Sequence, residues 1–199
     1  MQSNSLARPS PSINPSIISS RVVSALAVVF VEIMFFSGLL SSFFVIKRGR
    51  EIWDAAGSIH LPVMATGFNT LILFASGVTL FLVGNALKRQ KNTQLASTYL
   101  FRTIAISCFF LAFQIYQSAQ LINSGLTISS SVFGGCYYLM IGSHLLQVFL
   151  GILLMIQFYA KIKTAKPESS SVRDYFNGLQ IFWLFVIGMW PVLYAEIYF

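Results

Sequence analysis

Charged residues are scarce in this chain. Of its 199 residues, 10% are Asp, Glu, Lys or Arg, against about 25% in soluble domains. It has two histidines and two cysteines, and the cysteines, Cys108 and Cys136, show no CxxC spacing. That excludes a disulfide framework and leaves no recognisable catalytic or metal-binding motif. So few charges cannot cover a water-facing surface, and lipid must therefore surround most of the chain.

Long hydrophobic runs are abundant instead. Hydrophobic residues make up 56% of the sequence, and the mean hydropathy is +0.73. A helix needs about 20 apolar residues to cross a bilayer, and backbone groups in lipid must be satisfied within each segment. The sequence therefore predicts an all-α integral membrane bundle of five transmembrane helices. The predicted spans are Ser19–Ile46, Leu61–Leu87, Ser97–Ile122, Val132–Ala160 and Tyr175–Phe199.

The N-terminal segment differs in composition. Residues 1–18 are rich in Ser, Pro and Asn, which favours a flexible cytoplasmic tail. A signal peptide is the alternative, but its apolar region would be short, whereas here the apolar run continues through Phe44. We therefore expect a retained first helix, with residues 19–199 forming one five-helix domain.

The net charge of +7 comes from short basic clusters between the apolar runs. Such clusters are typical of membrane-orientation signals, and no nucleic-acid partner is expected. Nine cations would lie on the side of the N-terminus and three on the other, which predicts a cytoplasmic N-terminus and an external C-terminus. The nine are Arg8, Arg21, Lys88, Arg89, Lys91, Lys161, Lys163, Lys166 and Arg173, and the three are Lys47, Arg48 and Arg50.

Aromatic residues collect at membrane–water interfaces, where their amphipathic rings meet the headgroups. Four aromatic side chains stand at the external ends of the predicted spans. We expect these residues, Trp53, Trp190, Tyr194 and Tyr198, to form an outer interfacial belt.

Three ionisable residues stand out inside the spans, where a charge at the helix centre costs about 2.5 to 3.5 kcal/mol on insertion scales. Glu32, near the middle of the first span, must be protonated or paired, and it is either a proton-relay or lipid-facing carboxyl or a structural hydrogen-bonding group. His144 lies near the middle of the fourth span, and its distance in sequence from His60 disfavours a metal or haem site. Arg102, in the first turns of the third span, can snorkel to the cytoplasmic interface.

Neutral polar residues also occur in the spans. Amides and hydroxyls in membrane helices commonly hydrogen-bond between helices, so we expect these residues to hold the bundle together. They are Asn69, Thr70, Ser76, Gln114, Gln117, Gln147, Asn177 and Gln180.

At these positions the sequence resembles subunit III of the haem–copper cytochrome oxidases, in its five-helix form. Four segments are similar to family motifs and occur in the family's order. They are VEIMFFSGLLSSFFV around Glu32, FNTLILFASGVTL with Asn69, Thr70 and Ser76, ISSSVFGGCYYLMIGSHLLQVFLGILLM with His144, and FNGLQIFWLFVIGMWPVLY. Four motifs in the right order make the resemblance fairly specific.

The chain also departs from the family pattern. Gln117 stands where the family often has glutamate, and Gln147 where a second histidine is usual. Asn177 and Gln180 stand where the last helix usually has histidine and aspartate. These amides keep the ability to hydrogen-bond and lose the charge, which favours a divergent member of the family.

The resemblance implies a non-catalytic accessory subunit of a terminal oxidase in a bacterial inner membrane. Such a subunit packs on the catalytic subunit I, beside subunit II, and the haem and copper belong to the partner. It holds phospholipids in a cleft between its first two helices and the remaining bundle, and it supports proton uptake and stable turnover. Glu32 and His144 would be the proton- or lipid-related residues, and a larger respiratory supercomplex is a further expected partner.

Two alternatives remain open. One is the related subunit that accompanies nitric oxide reductases. The other is a small transporter, although five helices do not divide into the two equal repeats that are typical of transporters.

Overall fold

The computed structural model describes residues 19–48, 62–90, 92–164 and 170–198. These ranges contain five helices and no strand, and each helix is long and apolar enough to cross a membrane, which confirms the predicted fold class. The helices are α1 (Ser20–Arg48), α2 (Val63–Lys88), α3 (Thr93–Asn123), α4 (Val132–Thr164) and α5 (Ser170–Tyr198). The predictions for the tail 1–18 and for Arg8, Arg50, Trp53, His60, Lys91, Lys166 and Phe199 lie outside the described residues.

Helix α3 begins earlier than its apolar run. The Asn92 side chain accepts a hydrogen bond from the Leu95 backbone N–H at 3.0 Å, which caps the helix in front of Thr93 rather than at the predicted Ser97. Arg102 consequently lies in the third turn of α3, where its side chain is exposed.

A tight turn joins α3 to α4. Gly125 has a φ of 94°, a left-handed conformation that side chains rarely adopt. This lets its N–H reach the Ile122 carbonyl and lets the Leu126 N–H reach the Leu121 carbonyl, both at 3.0 Å. The two helices therefore run antiparallel as neighbours.

Helix α5 lies at the centre of the bundle and contacts α1, α2 and α4, while α3 packs on α2 and α4. Its Trp183 and Trp190 are the largest side chains that are fully buried. Gly151 of α4 lets α5 approach closely, because a Cβ at this position would lie 2.5 Å from the Trp183 ring. Helix α1 packs on α5 and α4 and buries two side chains, Phe36 and Phe43.

Contacts at the two ends of α5 define the direction of its neighbours. Arg21 at the start of α1 donates to the Ser171 carbonyl at 2.7 Å, and Lys47 at its end donates to the Glu196 carbonyl at 2.9 Å, so α1 and α5 are parallel. The Tyr194 hydroxyl donates to the Val63 carbonyl at 3.0 Å, which sets the start of α2 beside the end of α5.

Candidate functional site

Glu32 of α1 and Gln147 of α4 form a hydrogen bond inside the bundle. The Gln147 amide nitrogen donates to Oε2 of the Glu32 carboxyl at 2.6 Å. Gln147 is buried and Glu32 is half-buried. Both residues are predicted from the sequence, Glu32 as a proton- or lipid-related carboxyl and Gln147 as a helix-packing amide, but their pairing is not. The amide N–H can donate to an oxygen of either the protonated or the ionised carboxyl, and it adds no charge of its own.

A groove of about 580 Å³ lies between α1, α4 and α5. Ala25 and Val28 form its α1 wall, and Leu150 and Leu154 belong to its α4 wall. Glu32 follows Val28 by one helical turn, and Gln147 precedes Leu150 by about one turn. The groove therefore runs from the start of α1 toward the Glu32–Gln147 pair.

Two cations stand at the mouth of this groove. Arg21 and Lys161 both donate to the Ser171 hydroxyl, at 3.0 and 2.8 Å. Both also lie over the ring of Tyr175, at 5.6 and 5.5 Å from its centroid, and the Tyr175 hydroxyl donates to Gln157 at 3.1 Å. The sequence pattern indicates Arg21 and Lys161 only as orientation signals, because their convergence depends on how the helices pack.

The expectation of a cleft with the first two helices on one side is wrong. Helix α1 packs on α5 and α4, whereas α2 packs on α3 and α5. The described wall of the groove contains residues of α1, α4 and α5 and none of α2. One helix, rather than two, faces the rest of the bundle here.

His144 is fully buried and faces α5 and α3. One of its ring nitrogens, Nε2, lies 3.0 Å from the Val186 carbonyl oxygen, and its ring centroid lies 4.8 Å from that of Trp190 and 6.3 Å from that of Phe110. Nothing described connects His144 to the groove. Within the described ranges, no three His, Cys, Asp or Glu side chains lie close enough together to hold a metal ion.

Two tryptophans of α5 reach the polar residues of α2. Trp183 donates to the Ser76 hydroxyl at 3.2 Å, and Trp190 donates to the Thr70 hydroxyl at 2.8 Å. The expectation that Trp190 belongs to an interfacial belt is therefore wrong, because its ring is fully buried and its N–H is used within the core. From the sequence alone, a tryptophan near the end of a span fits either the membrane interface or the protein core.

The remaining polar residues divide into two groups. Asn69 donates to the Phe110 carbonyl at 3.3 Å and to Gln114 at 3.1 Å, and Thr66 donates to Gln117 at 3.2 Å, all of them between α2 and α3. Thr66 was missed in the sequence because a lone threonine at a span end carries no distinctive signal. Asn177 and Gln180 are half-buried on α5, outside these hydrogen-bonded groups.

Sequence comparison with known proteins identifies relatives of this chain. The sequence model of the family described as cytochrome c oxidase subunit III matches residues 18–199. The chain is 27% identical to cytochrome c oxidase subunit 3 of Thermostichus vulcanus over 89% of its own length and 86% of the relative's. It is 29% identical to that of Corynebacterium diphtheriae, over 89% and 88% of the two lengths.

A third relative is similar to the same extent. The probable cytochrome c oxidase subunit 3 of Mycobacterium leprae is 31% identical over 84% of this chain and 82% of its own length. The range matched by the family model includes all five helices. As the four ordered motifs predicted, the chain belongs to the cytochrome c oxidase subunit III family.

Proposed function

We propose that this chain is the accessory subunit III of a respiratory haem–copper terminal oxidase, holding lipid and supporting proton uptake and stable turnover in aerobic electron transport. Family membership supports assembly with the oxidase's catalytic subunits. Haem and copper then belong to subunit I and its neighbour subunit II. The observation that carries the finer proposal is the Glu32–Gln147 hydrogen bond, which lies about one helical turn beyond the lining of a groove with a basic mouth.

The groove suits a phospholipid. Its apolar lining, which includes Ala25 and Val28 of α1 and three leucines of α4, matches an acyl chain. At its mouth, Arg21 and Lys161 have described hydrogen bonds to Ser171 rather than to a carboxylate. Their positive charge is therefore available to a phosphate headgroup, for which such side chains are well suited.

Glu32 is the residue we assign to proton handling. It is half-buried at mid-helix, and the only partner described for its carboxyl is a neutral amide. A carboxyl without a cationic partner can take up and release a proton without breaking an ion pair. The structural reading, in which Glu32 only attaches α1 to α4, remains the alternative outcome of the experiment below.

We also propose a bacterial inner membrane location with the N-terminus in the cytoplasm. Contacts along α5 bring the starts of α1 and α5 to one end of the bundle. That end carries Arg21, Arg173 and the basic last turn of α4, and the opposite end carries Lys47 and Arg48. The positive-inside rule then supports this orientation.

The test is to purify the oxidase complex with wild-type chain or with Glu32→Gln. We expect co-eluting large subunits and haem absorbance in both, because glutamine retains a hydrogen bond to Gln147. We expect the variant to lose oxygen-consumption activity over successive turnovers at least several-fold faster and to take up protons more slowly. Glu196→Gln, a change of the carboxyl at the outer end of α5, is the matched control and should behave as wild type.

Two results would contradict the proposal. If the wild-type chain purifies as a colourless homo-oligomer, it is not an oxidase subunit. If the complex with Glu32→Gln lacks this chain, Glu32 is a structural residue and the proton-handling assignment is wrong.

A further inference from the structure

One side of α5 points away from the core of the bundle. Its residues are exposed or half-buried and recur at intervals of three or four positions, a spacing that places them on the same face of a helix. We call five of them, Asn177, Gln180, Ile181, Leu184 and Gly188, the open face of α5. A Cβ at Gly188 would meet no atom of the described chain within 4 Å, so this face can be contacted from outside.

The neighbouring helices border the open face on its two flanks. On one flank, α1 approaches so closely that a Cβ at Gly178 would lie 3.2 Å from the Arg21 carbonyl oxygen. On the other flank, a Cβ at Gly84 of α2 would lie 3.0 Å from the Phe176 ring. At about 100° of rotation per residue, the open face lies between these two contacts, on the side of α5 opposite its buried tryptophans.

The open face carries two amides at the depth of the membrane interior. At about 1.5 Å per residue, Asn177 and Gln180 lie about 10 and 15 Å along α5 from its first residue, Ser170. A helix of 29 residues is about 43 Å long, so both amides fall inside a hydrocarbon core of about 30 Å when the span is centred in the bilayer. Neither side chain has a hydrogen bond to another described residue.

Lipid tails cannot satisfy these two side chains. Each primary amide has two N–H donors and a carbonyl acceptor, whereas an acyl chain has no donor and no acceptor. Amides in membrane helices commonly hydrogen-bond across a helix–helix contact, and a polar group left unpaired in an apolar medium costs free energy. The chemistry of Asn177 and Gln180 therefore favours contact with protein over contact with lipid.

The spacing of the face fits a helical partner. Asn177, Ile181, Leu184 and Gly188 follow one another at intervals of four, three and four residues, which is the repeat of a seam between two packed helices. A glycine in such a seam permits close approach of the partner backbone. The groove described above uses other residues of α5, among them Tyr175 and Phe182, and the two surfaces are therefore distinct.

We propose that the open face of α5 binds a transmembrane helix of another oxidase subunit, whose hydroxyl, amide or carboxyl side chain pairs with Asn177 and Gln180. Membership in a family of oxidase subunits makes such a subunit the expected neighbour, rather than a second copy of this chain. This inference rests on the proposed function, because it requires that the chain assembles in an oxidase complex. It adds the surface through which the chain is held there.

Retention of the chain in the purified complex tests the proposal. The double variant Asn177→Leu with Gln180→Leu removes both amides, and we expect the amount of this chain per catalytic subunit after a detergent wash to fall at least several-fold. If the amides face lipid, leucine relieves a desolvation penalty, and retention that equals or exceeds wild type would overturn the proposal. Gln94→Leu, at an exposed amide at the start of α3, is the matched control and should be retained as wild type.

Thermal unfolding of the full-length chain in detergent micelles separates loss of the partner from misfolding. Because neither amide bonds to a described residue of this chain, we expect the midpoint of the double variant to equal or exceed that of wild type. A lower midpoint would show that the amides stabilise the chain itself, and the proposal would then be wrong.

Photocrosslinking identifies what covers the open face. Leu184, whose side chain is 54% exposed, is replaced by benzoylphenylalanine, which reacts with nearby C–H bonds on illumination. In the purified complex we expect an adduct with a transmembrane peptide of another oxidase subunit. Adducts with lipid alone or with a second copy of this chain would overturn this inference and leave the proposed function standing. A wild-type chain that purifies without catalytic subunits would contradict both.

Discussion

Helices α1 and α5 are both 29 residues long and lie side by side, yet they differ in how much of each is buried inside the protein. In the most apolar stretch of α1, 6% of the residues are buried inside the protein, whereas 39% are buried in that of α5. The more apolar helix is thus the less buried one. Lipid tails solvate apolar side chains as well as a protein core does, so hydrophobicity marks a span without drawing it into the bundle.

The contacts that hold α1 and α5 to the rest of the bundle also differ. Polar contacts attach α1 at three heights: Arg21 to Ser171, Glu32 to Gln147, and Lys47 to the Glu196 carbonyl. Helix α5 is held by close packing and by tryptophans whose N–H groups are used. Shape and hydrogen bonding decide position inside the membrane, and the two helices are therefore expected to respond differently to the same truncation.

The largest contrast should come from aromatic truncation. Trp183→Ala removes a fully buried ring and leaves the Ser76 hydroxyl without its donor, and we expect a loss of about 3–5 kcal/mol in unfolding free energy. Phe30→Ala on α1, where the side chain is 64% exposed, should cost well under about 1 kcal/mol. Reversible denaturation in detergent micelles measures both. Comparable losses would mean that the lipid-facing side of α1 is covered by protein.

The next contrast concerns two glycines of α4. A Cβ at Gly151 would lie 2.5 Å from the Trp183 ring, whereas a Cβ at Gly142 meets nothing within 4 Å. We expect Gly151→Ala to destabilise by about 1–3 kcal/mol through overpacking against α5. Gly142→Ala should be neutral or slightly stabilising, since alanine is the better helix former. The same denaturation measurement applies, and equal effects would show that α5 can shift to accept a methyl group.

Local properties of the chain are predictable from its sequence. Each span must satisfy its own backbone in lipid, so apolar runs alone locate five helices, and the family motifs around Glu32 and His144 fall in the expected order. The start of α3 was misplaced because Asn92 is a polar cap in front of a moderately polar first turn.

Pairing between helices was out of reach. Glu32 and Gln147 are 115 residues apart, and no periodicity within either span says which other span it faces. For the same reason, the sequence predicts that Arg21 and Lys161 lie on one side of the membrane but not that they meet at one groove. It likewise places Trp190 near the end of a helix but does not show that its side chain faces the core.

The smallest expected loss of stability concerns the Glu32–Gln147 contact. At this height of the bundle, a single hydrogen bond joins α1 to α4. Gln147→Leu removes the donor while keeping side-chain bulk, and we expect a loss of about 1 kcal/mol, since a lost polar contact typically costs about 1–3 kcal/mol and contacts between membrane helices fall at the low end. Denaturation in the same micelles measures it, and Gln94→Leu is the control, since the Gln94 side chain is exposed at the start of α3 and has no described hydrogen bond.

The double variant Glu32→Leu with Gln147→Leu tests whether the two side chains stabilise the bundle as a pair or independently. If the cost of Gln147→Leu arises because the Glu32 carboxyl loses its partner, removing that carboxyl as well should recover most of the loss, since apolar groups face no desolvation penalty in lipid. A double variant as unstable as the sum of the two single ones would mean that the residues act independently. Helix α1 would then be held by its apolar packing, including Phe36 and Phe43, and by the contacts at its two ends, and the comparison with α5 would narrow to a difference in packing.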